Sequence, residues 1–319
     1  METSAWYRRF ASAEARGQSA CYQAWADGVA NDQQLIELVD ELPEVKRQPN
    51  LVFGAARFVG IAAGPFERFR EELISGWAQV RAVVLSKRTQ TNEPGRCAVL
   101  LPVLAALPQP LALLEVGASA GLCLYPDRFS YQFGDRPRLD PADGPGPLLR
   151  CAIDGPVPVP TALPEVVWRA GIDLNPLDVT DPDDVRWLET LIWPEQSRRR
   201  EQLAAAIAIA RTDPPLLVSG DLTEMVDQLI GRAPADATLV VFHSAVLTYL
   251  DRQARDCFAA RMRDAAAHWI SNEGPGVITV AAGSLPDSPD PLKALFVIAH
   301  DGEPVAYADG HGQALYWFG

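Results

Sequence analysis

The sequence has few of the residues that build metal and disulfide sites. Its 319 residues include five cysteines and four histidines, and neither a C-x-x-C nor an H-x-x-x-H motif occurs. Scattered single cysteines are typical of reduced thiols in the cytoplasm. Isolated histidines lack the spacing of a sequence-encoded zinc site. The sequence therefore predicts a cytoplasmic protein without disulfides and without a metal centre.

Positive charge and long apolar runs are also scarce. There are 28 Lys and Arg residues against 41 Asp and Glu residues, a net charge of −13. Because nucleic-acid binding requires a basic surface, this balance argues against a nucleic-acid partner. No apolar run approaches the length of a membrane span, and the opening METSAWYRRF lacks the apolar core of a signal peptide. We therefore expect neither a nucleic-acid nor a membrane partner, and the sequence gives no oligomeric state.

Residues 111–121 (LALLEVGASAG) are the stretch around which the rest of the chain is organised. A short apolar run contains Glu115 near its end and is followed by Gly117 and Gly121. Such a run predicts a strand that is buried on both faces of a parallel sheet. The glycines allow a sharp turn and a close approach of backbone N–H groups to a ligand. Glu115 is thus placed at the carboxyl end of the strand, where open α/β sheets bind their ligands.

Four later segments repeat the pattern of an apolar run that closes on a polar residue. Their closing residues are Asp173, Asp221, His243 and Glu273. Strands and helices alternate from 111 to 273, which predicts a doubly wound, mostly parallel sheet with helices on both faces. Right-handed crossovers bring the five strand ends to one edge. Strands at 294–299 and 314–318, with a hairpin at 300–302, are expected to complete the sheet.

The chain before the central strand is predicted to be helical. Apolar residues recur there at helical spacing, and no alternating strand pattern occurs. Residues 128–163 combine two short strand patterns with many Pro and Gly residues, which predicts an inserted hairpin. We therefore expect an N-terminal helical cap region at 1–108 and a cofactor-binding domain at 109–319.

The loop after the central strand has two further interpretations. Its G-x-S-x-G pattern matches the nucleophile elbow of a serine hydrolase, with a possible triad of Ser119, Asp221 and His311. Against this, the elbow strand comes first in the chain and no H-G-G-G segment offers an oxyanion hole. A tight turn in a non-catalytic or regulatory protein is the other alternative. A nicotinamide site would require G-x-G-x-x-G, which does not occur here.

The strand ends resemble those of the class I S-adenosylmethionine-dependent methyltransferases. The matching segments are 113–121, 171–173, 219–221 and 240–244. S-adenosylmethionine carries an α-amino group and a positive sulfur but no phosphate, so it gains from nearby carboxylates. The resemblance implies S-adenosylmethionine as the cofactor, a seven-stranded Rossmann-like sheet, and either methyl transfer or another use of the cofactor, such as cyclisation. Neither N-P-P-Y nor Pro-Cys follows the fourth strand, which with the acidic charge favours a small-molecule substrate.

The whole chain also resembles a bacterial family of uncharacterised proteins that carry a domain of unknown function. The matching segments are 89–93, 115–122, 171–176, 193–195, 272–274 and 311–312. This second resemblance supports the fold and the grouping of the motifs. It implies no substrate.

The methyltransferase resemblance assigns residues to the cofactor. These are Glu115, Gly117, Ala118, Ser119, Gly121, Asp173, Leu174, Gly220, Asp221, His243 and Ser244. The ribose hydroxyls would be bound by Asp173 or Asp135, and the local Gly-Ile-Asp pattern favours Asp173. Asp221 is expected near the adenine, although a helix N-cap explains it nearly as well.

Catalytic and substrate-binding candidates come from the remaining polar positions. A base is required only if the nucleophile arrives protonated, and the candidates for it are His243, Glu273 and His311. The candidates for substrate binding are Gln90, Asn92, Glu93, Arg96, Tyr249 and Asn272. Structural roles compete for some of them: helix capping explains Asn92, and core packing explains Tyr249.

Overall fold

The computed structural model of the protein describes residues 2–277, 285–291 and 293–319. The chain forms two compact units. The first contains residues 1–91 and 180–201, and the second contains residues 92–179 and 202–319. The boundary predicted at 108 is therefore not where the units divide. In the described part of the chain, no helix combines the length and apolar character that a membrane span requires.

The helices and strands have the following bounds in chain order. The helices are α1 Thr3–Arg9, α2 Ala20–Ala30, α3 Gln33–Asp40, α4 Pro49–Phe58, α5 Phe66–Ser86, α6 Arg96–Ala106, α7 Pro182–Leu191, α8 Ser197–Thr212, α9 Leu222–Ile230 and α10 Arg252–Asp264. The strands are β1 Leu111–Val116, β2 Ser130–Phe133, β3 Leu148–Asp154, β4 Val166–Asp173, β5 Leu216–Ser219, β6 Thr238–Ser244, β7 His268–Glu273, β8 Phe296–His300, β9 Glu303–Ala308 and β10 Ala314–Trp317.

The first unit contains helices and loops throughout its described residues, as the sequence predicts for the N-terminal region. Its core is aromatic: Trp25 stacks on Phe69 with ring centroids 3.9 Å apart, and Phe53 packs edge-on against both. The 180–201 segment joins this unit because the Glu195 carboxylate accepts a hydrogen bond of 2.8 Å from the Cys21 N–H. A function of this unit as a cap stays a prediction.

The second unit is built on one ten-stranded sheet with the strand order β2-β3-β10-β9-β8-β7-β6-β1-β4-β5. β1 is parallel to both of its neighbours, β4 and β6. From β1 the chain passes to β4 and β5 on one side, and it then returns to β6 and β7 on the other. The strand order therefore reverses at β1, and the carboxyl end of β1 is the topological switch point at which such sheets bind ligands. The doubly wound prediction is confirmed for these five strands.

The other five strands correct the prediction of a seven-stranded sheet. β8, β9 and β10 form an antiparallel meander with the predicted hairpin at 300–302. β2 and β3 are parallel to each other, so the hairpin predicted at 128–163 is wrong. The connection between them, residues 134–147, is long enough for a parallel crossover. The alternating Phe129, Tyr131 and Phe133 are all buried, as expected for the core-facing side of an alternating strand.

Candidate functional site

The loop that follows β1, residues 117–121, turns tightly and leads into a single 3₁₀ turn, Leu122–Leu124. Gly117, Ser119 and Gly121 have φ angles of 72°, 51° and 69°. A non-glycine residue in this left-handed region carries strain of the kind found at functional sites. Ala245, after β6, is a second such residue, with φ of 58°.

The backbone N–H groups of this loop are used within the protein. Those of Gly117 and Ala118 donate to the Ile172 carbonyl oxygen at 2.7 and 3.0 Å. The Ser119 N–H donates to Asp173 Oδ2 at 2.8 Å. Phosphate sites depend on unused N–H groups at the start of a helix. The loop therefore lacks the main features of a phosphate cradle.

Gly117 is required for packing between two loops. A Cβ atom added there would lie 2.1 Å from a methyl carbon of Val246, which follows β6. The Val246 side chain occupies the space beside the Gly117 Cα, and a role of Gly117 in ligand binding stays a prediction. Gly171 shows the same effect, since its added Cβ would lie 2.5 Å from that of Ala118.

Glu115 is the buried acid of the switch point. It is 3% exposed, and its Oε2 atom has no hydrogen-bond partner among the described residues. Burial, and next the neighbouring Cys123 thiol, raise the pKa of Glu115 well above its ordinary value, although Arg96 acts in the opposite direction. A buried carboxyl group without a full set of partners is costly for folding. Glu115 is therefore the candidate for contact with a ligand at the switch point, and that role stays a prediction.

Asp173 ends β4, the strand beside β1. Its two carboxylate oxygens accept hydrogen bonds from the N–H groups of Ser119 and Asn175, each at 2.8 Å. Asp173 thereby fixes the loop after β1 as well as its own. The competing acid, Asp135, is exposed in the turn after β2, at the far edge of the sheet. Of the two, only Asp173 lies next to the switch point.

His243 and Glu273 form a buried hydrogen-bond network with Trp269. His243 Nδ1 lies 2.8 Å from Glu273 Oε1, and the Trp269 indole N–H donates to His243 Nε2 at 3.0 Å. Because Nε2 must accept, Nδ1 carries the proton that is donated to Glu273. Both ring nitrogens are thus used, and the histidine is completely buried. In this arrangement neither ring nitrogen is free for another partner, and a role of His243 as a base or in cofactor binding stays a prediction.

Glu273 has a structural duty as well. Its Oε1 also accepts hydrogen bonds from the N–H groups of Val246 and Leu247, at 2.8 and 3.0 Å. Burial by itself would raise the pKa of Glu273, but the hydrogen bonds from His243 and from these N–H groups together lower it below the ordinary value. An ionised carboxylate engaged in this way is a poor proton acceptor. It positions the loop whose Val246 covers Gly117.

Arg96 joins two loops that are distant in sequence. Its Nε–H donates to the Gly310 carbonyl oxygen at 3.0 Å, and its Nη1 donates to that of Ser244 at 3.3 Å. The loop at 309–312, which contains the predicted base His311, also contacts the start of α6. A Cβ added to Gly312 would lie only 1.9 Å from a backbone oxygen there. Tertiary structure thus brings the 92–96 and 309–312 motifs together.

Other candidates have structural duties. Asn92 does not cap α6: its Oδ1 accepts from the Leu122 N–H at 2.7 Å. The Glu93 carboxylate accepts from the Gly95 N–H at 3.2 Å. Asn272 is fully buried and donates to the Ser244 hydroxyl at 3.2 Å. These three side chains therefore form hydrogen bonds to other groups of the protein near the site.

The remaining candidates differ in accessibility. Asp221 is the N-cap of α9, accepting from the Thr223 N–H at 2.8 Å, and the preceding Gly220 packs on Met225. Leu174 and Tyr249 are exposed large side chains after β4 and β6, so the core placement considered for Tyr249 is wrong. Gln90 belongs to the first unit, whereas all the other candidates belong to the second.

Two buried cysteines at the site, Cys97 and Cys123, were not predicted from the sequence. The Cys123 thiol donates to the Glu93 carbonyl oxygen at 3.2 Å, and the Cys97 thiol donates to that of Cys123 at 3.4 Å. All five cysteines of the chain are free, as predicted. The position of Cys123 directly after the 117–121 loop was the one available signal. Nothing in the sequence pairs it with Cys97.

The raised pKa of Glu115 makes the pH dependence of the Glu115→Gln variant predictable. A folded-state pKa above the unfolded value gives stability that is present at low pH and is lost as pH rises through the folded pKa. As pH rises from the unfolded-state pKa to the folded-state pKa of Glu115, wild-type stability falls. The free energy of unfolding of Glu115→Gln should therefore rise relative to that of the wild type by about 1.4 kcal/mol per pH unit over this interval. Urea unfolding at several pH values measures this. The control, Glu303→Gln, removes a carboxylate from an exposed position, and a Glu115→Gln difference that does not change with pH would contradict the prediction.

The chain matches the sequence profile of a family described as "Uncharacterized protein conserved in bacteria (DUF2332)" over residues 4–65 and 57–317. No curated protein matches the chain in sequence.

Proposed function

The chain belongs to the DUF2332 family of proteins conserved in bacteria, and we propose that this member binds S-adenosylmethionine at the carboxyl end of β1 and transfers its methyl group to a small molecule. The observation that carries this proposal is Glu115. Its buried carboxyl oxygen has no partner among the described residues and lies at the switch point of the sheet. A cationic ligand would offset the cost of that burial.

The backbone around the switch point favours a ligand without phosphate. The N–H groups of Gly117, Ala118 and Ser119 already donate hydrogen bonds to Ile172 and Asp173. The loop is followed by a single 3₁₀ turn and not by a long helix. A dinucleotide would need those donors for its pyrophosphate. A sulfonium nucleoside needs instead a carboxylate for its positive charge and an acid for its ribose. Glu115 and Asp173 are the two acids in those positions.

The roles of the residues follow from this geometry. Glu115 would bind the α-amino group, and Asp173 would accept from the ribose hydroxyls while it holds the loop after β1. The exposed Leu174 and Tyr249 side chains would cover the apolar parts of the ligands. When bound, S-adenosylmethionine supplies an already electrophilic methyl carbon, so positioning of the acceptor contributes most of the rate. This requirement agrees with a site in which both ring nitrogens of His243 are engaged in hydrogen bonds.

Ligand-dependent stability tests the proposal. Saturation at 100 times Kd should stabilise the wild type by about 2.7 kcal/mol, measured as a rise in thermal midpoint with S-adenosylmethionine or its demethylated product. Glu115→Gln should lose most of the rise. Asp181→Asn should keep it, because Asp181 caps α7 in the first unit and Asn caps helices equally well. Equal shifts in the wild type and Glu115→Gln would remove Glu115 from the site, and no shift in the wild type would refute cofactor binding.

A serine hydrolase is the second candidate, and the left-handed Ser119 is the observation that favours it. Such strain is characteristic of a nucleophile elbow. The expected triad gains little support, because the Asp221 carboxylate is used as the N-cap of α9. Labelling of Ser119 by a fluorophosphonate, together with no response to S-adenosylmethionine, would establish the hydrolase instead.

A further inference from the structure

Three side chains that could hold a metal ion meet at the amino end of β7. His268 begins β7, His300 ends β8, and Asp301 lies in the turn that follows. His268 Nδ1 is 3.1 Å from His300 Nε2, and Asp301 Oδ2 is 3.3 Å from the first nitrogen and 3.2 Å from the second. The three atoms thus form a nearly equilateral triangle.

The size of this triangle matches one face of a metal coordination shell. Zinc binds imidazole nitrogen and carboxylate oxygen at about 2.0–2.2 Å, which separates neighbouring ligand atoms by about 3.0 Å in octahedral and about 3.4 Å in tetrahedral geometry. The separations of 3.1–3.3 Å fall within that interval. The ligand atoms would therefore need little movement to bind an ion.

Protons alone satisfy this arrangement poorly. Each of the two facing nitrogens carries at most one hydrogen, and two hydrogens on them would point at each other across 3.1 Å. Hydrogen bonds can therefore form along only some of the three edges of the triangle. A cation near its centre interacts favourably with all three ligand atoms at once.

The carboxylate is held in place by its other oxygen. Asp301 Oδ1 accepts from the Trp269 N–H at 2.7 Å, and the Asp301 N–H donates to the Trp269 carbonyl oxygen at 2.8 Å. Such outer contacts are typical of metal ligands, because they fix the orientation of the ligating group. The side chains of His268 and His300 are 34% and 29% exposed, so an ion can reach them from solvent.

We propose that His268, His300 and Asp301 bind one divalent transition-metal ion, with Zn²⁺ as the best match. Two imidazoles and one carboxylate suit zinc and its neighbours rather than Ca²⁺ or Mg²⁺, which prefer oxygen ligands. Three protein ligands leave at least one coordination position for water or a small ligand. The site lies about 16 Å along β7 from Glu273 and is independent of the proposed cofactor site. This proposal departs from the expectation, drawn from the sequence, of no metal centre.

Calorimetric titration of the full-length protein with Zn²⁺ tests the site, with Co²⁺ absorption as a second readout. The wild type should bind one equivalent. Asp301→Asn should bind at least about tenfold more weakly, a loss that even outer-sphere changes produce at metal sites. Asn is favoured before Gly in a two-residue turn such as 301–302, and its side-chain oxygen can accept from the Trp269 N–H. The fold is therefore expected to persist. His268→Gln provides a second ligand deletion.

The matched control is His311→Gln, which removes a histidine outside the triangle and should bind Zn²⁺ as the wild type does. Unchanged thermal midpoints without metal would show that the ligand variants are folded. Wild-type affinity in both Asp301→Asn and His268→Gln would place the ion elsewhere, for example on the accessible thiols of Cys21 and Cys257. Either that result or the lack of one-to-one binding by the wild type would overturn the proposal.

Discussion

Replacement of Gly312 by Ala is expected to destabilise the protein by about 2–5 kcal/mol. Gly312 has a φ angle of 78°, and an added Cβ would lie 1.9 Å from the Gly95 carbonyl oxygen. The left-handed conformation costs an L-residue about 1–2 kcal/mol, and forced overpacking costs about 1–3 kcal/mol more. Because the clash is with backbone, no change of side-chain rotamer relieves it. The midpoint and slope of urea unfolding measure the loss.

Gly302→Ala is the matched control for this substitution. Gly302 has a similar φ angle of 86°, but no atom lies within 4 Å of the Cβ position. Its loss should be limited to the conformational cost of about 1–2 kcal/mol. Equal losses in the two variants would show that the contact of the 309–312 loop with α6 does not constrain the fold.

Glu273→Ala should cost about 3–5 kcal/mol at neutral pH. The substitution leaves three donors without their acceptor in a buried place, namely the His243 ring N–H and the N–H groups of Val246 and Leu247. Each buried unsatisfied donor costs about 1–3 kcal/mol, so the loss of an acceptor for three of them costs at least about 3 kcal/mol. Chemical denaturation at neutral pH measures the loss. Glu273→Gln, which keeps one acceptor oxygen, should be affected less.

The pH dependence of this effect has the opposite sign to that at Glu115. The lowered pKa of Glu273 means that its contribution is present above the unfolded-state value of about 4.3 and is lost as pH falls through the folded-state value. The difference between wild type and Glu273→Ala should therefore shrink on acidification. A difference that stays constant from neutral to acidic pH would show that folding does not shift the pKa of Glu273.

Glu115 and Glu273, both at the carboxyl edge of the sheet, differ in their environments. Glu273 is ionised, hydrogen-bonded and committed to the loop that carries Val246. Each acid has one buried oxygen without a partner among the described residues, but the pKa of Glu115 is raised whereas that of Glu273 is lowered. Both residues follow the same sequence pattern, a polar group near the end of an apolar strand. Only their partners in the folded protein distinguish the structural acid from the candidate ligand-binding acid.

The sequence by itself determined the parallel core of the second unit. β1 lies within the stretch 111–121, and β4 and β7 end at the polar residues that were predicted to close them, Asp173 and Glu273. A strand buried on both faces must be apolar along its length, and it ends where polar residues can reach solvent or a ligand. This local constraint is visible in the residue order. The hairpin at 300–302 was equally predictable, because Asp-Gly has the backbone freedom that a two-residue turn requires.

Tertiary structure alone decided which polar groups meet. His268 and Asp301 are 33 residues apart, and antiparallel pairing of β7 with β8 brings them together. Trp269 takes the nitrogen that His243 would need as a base, and β2 pairs in parallel with β3 because the intervening loop is long. Such contacts depend on register and side-chain direction across neighbouring strands. A single sequence records neither, because strand pairing is a property of the folded chain.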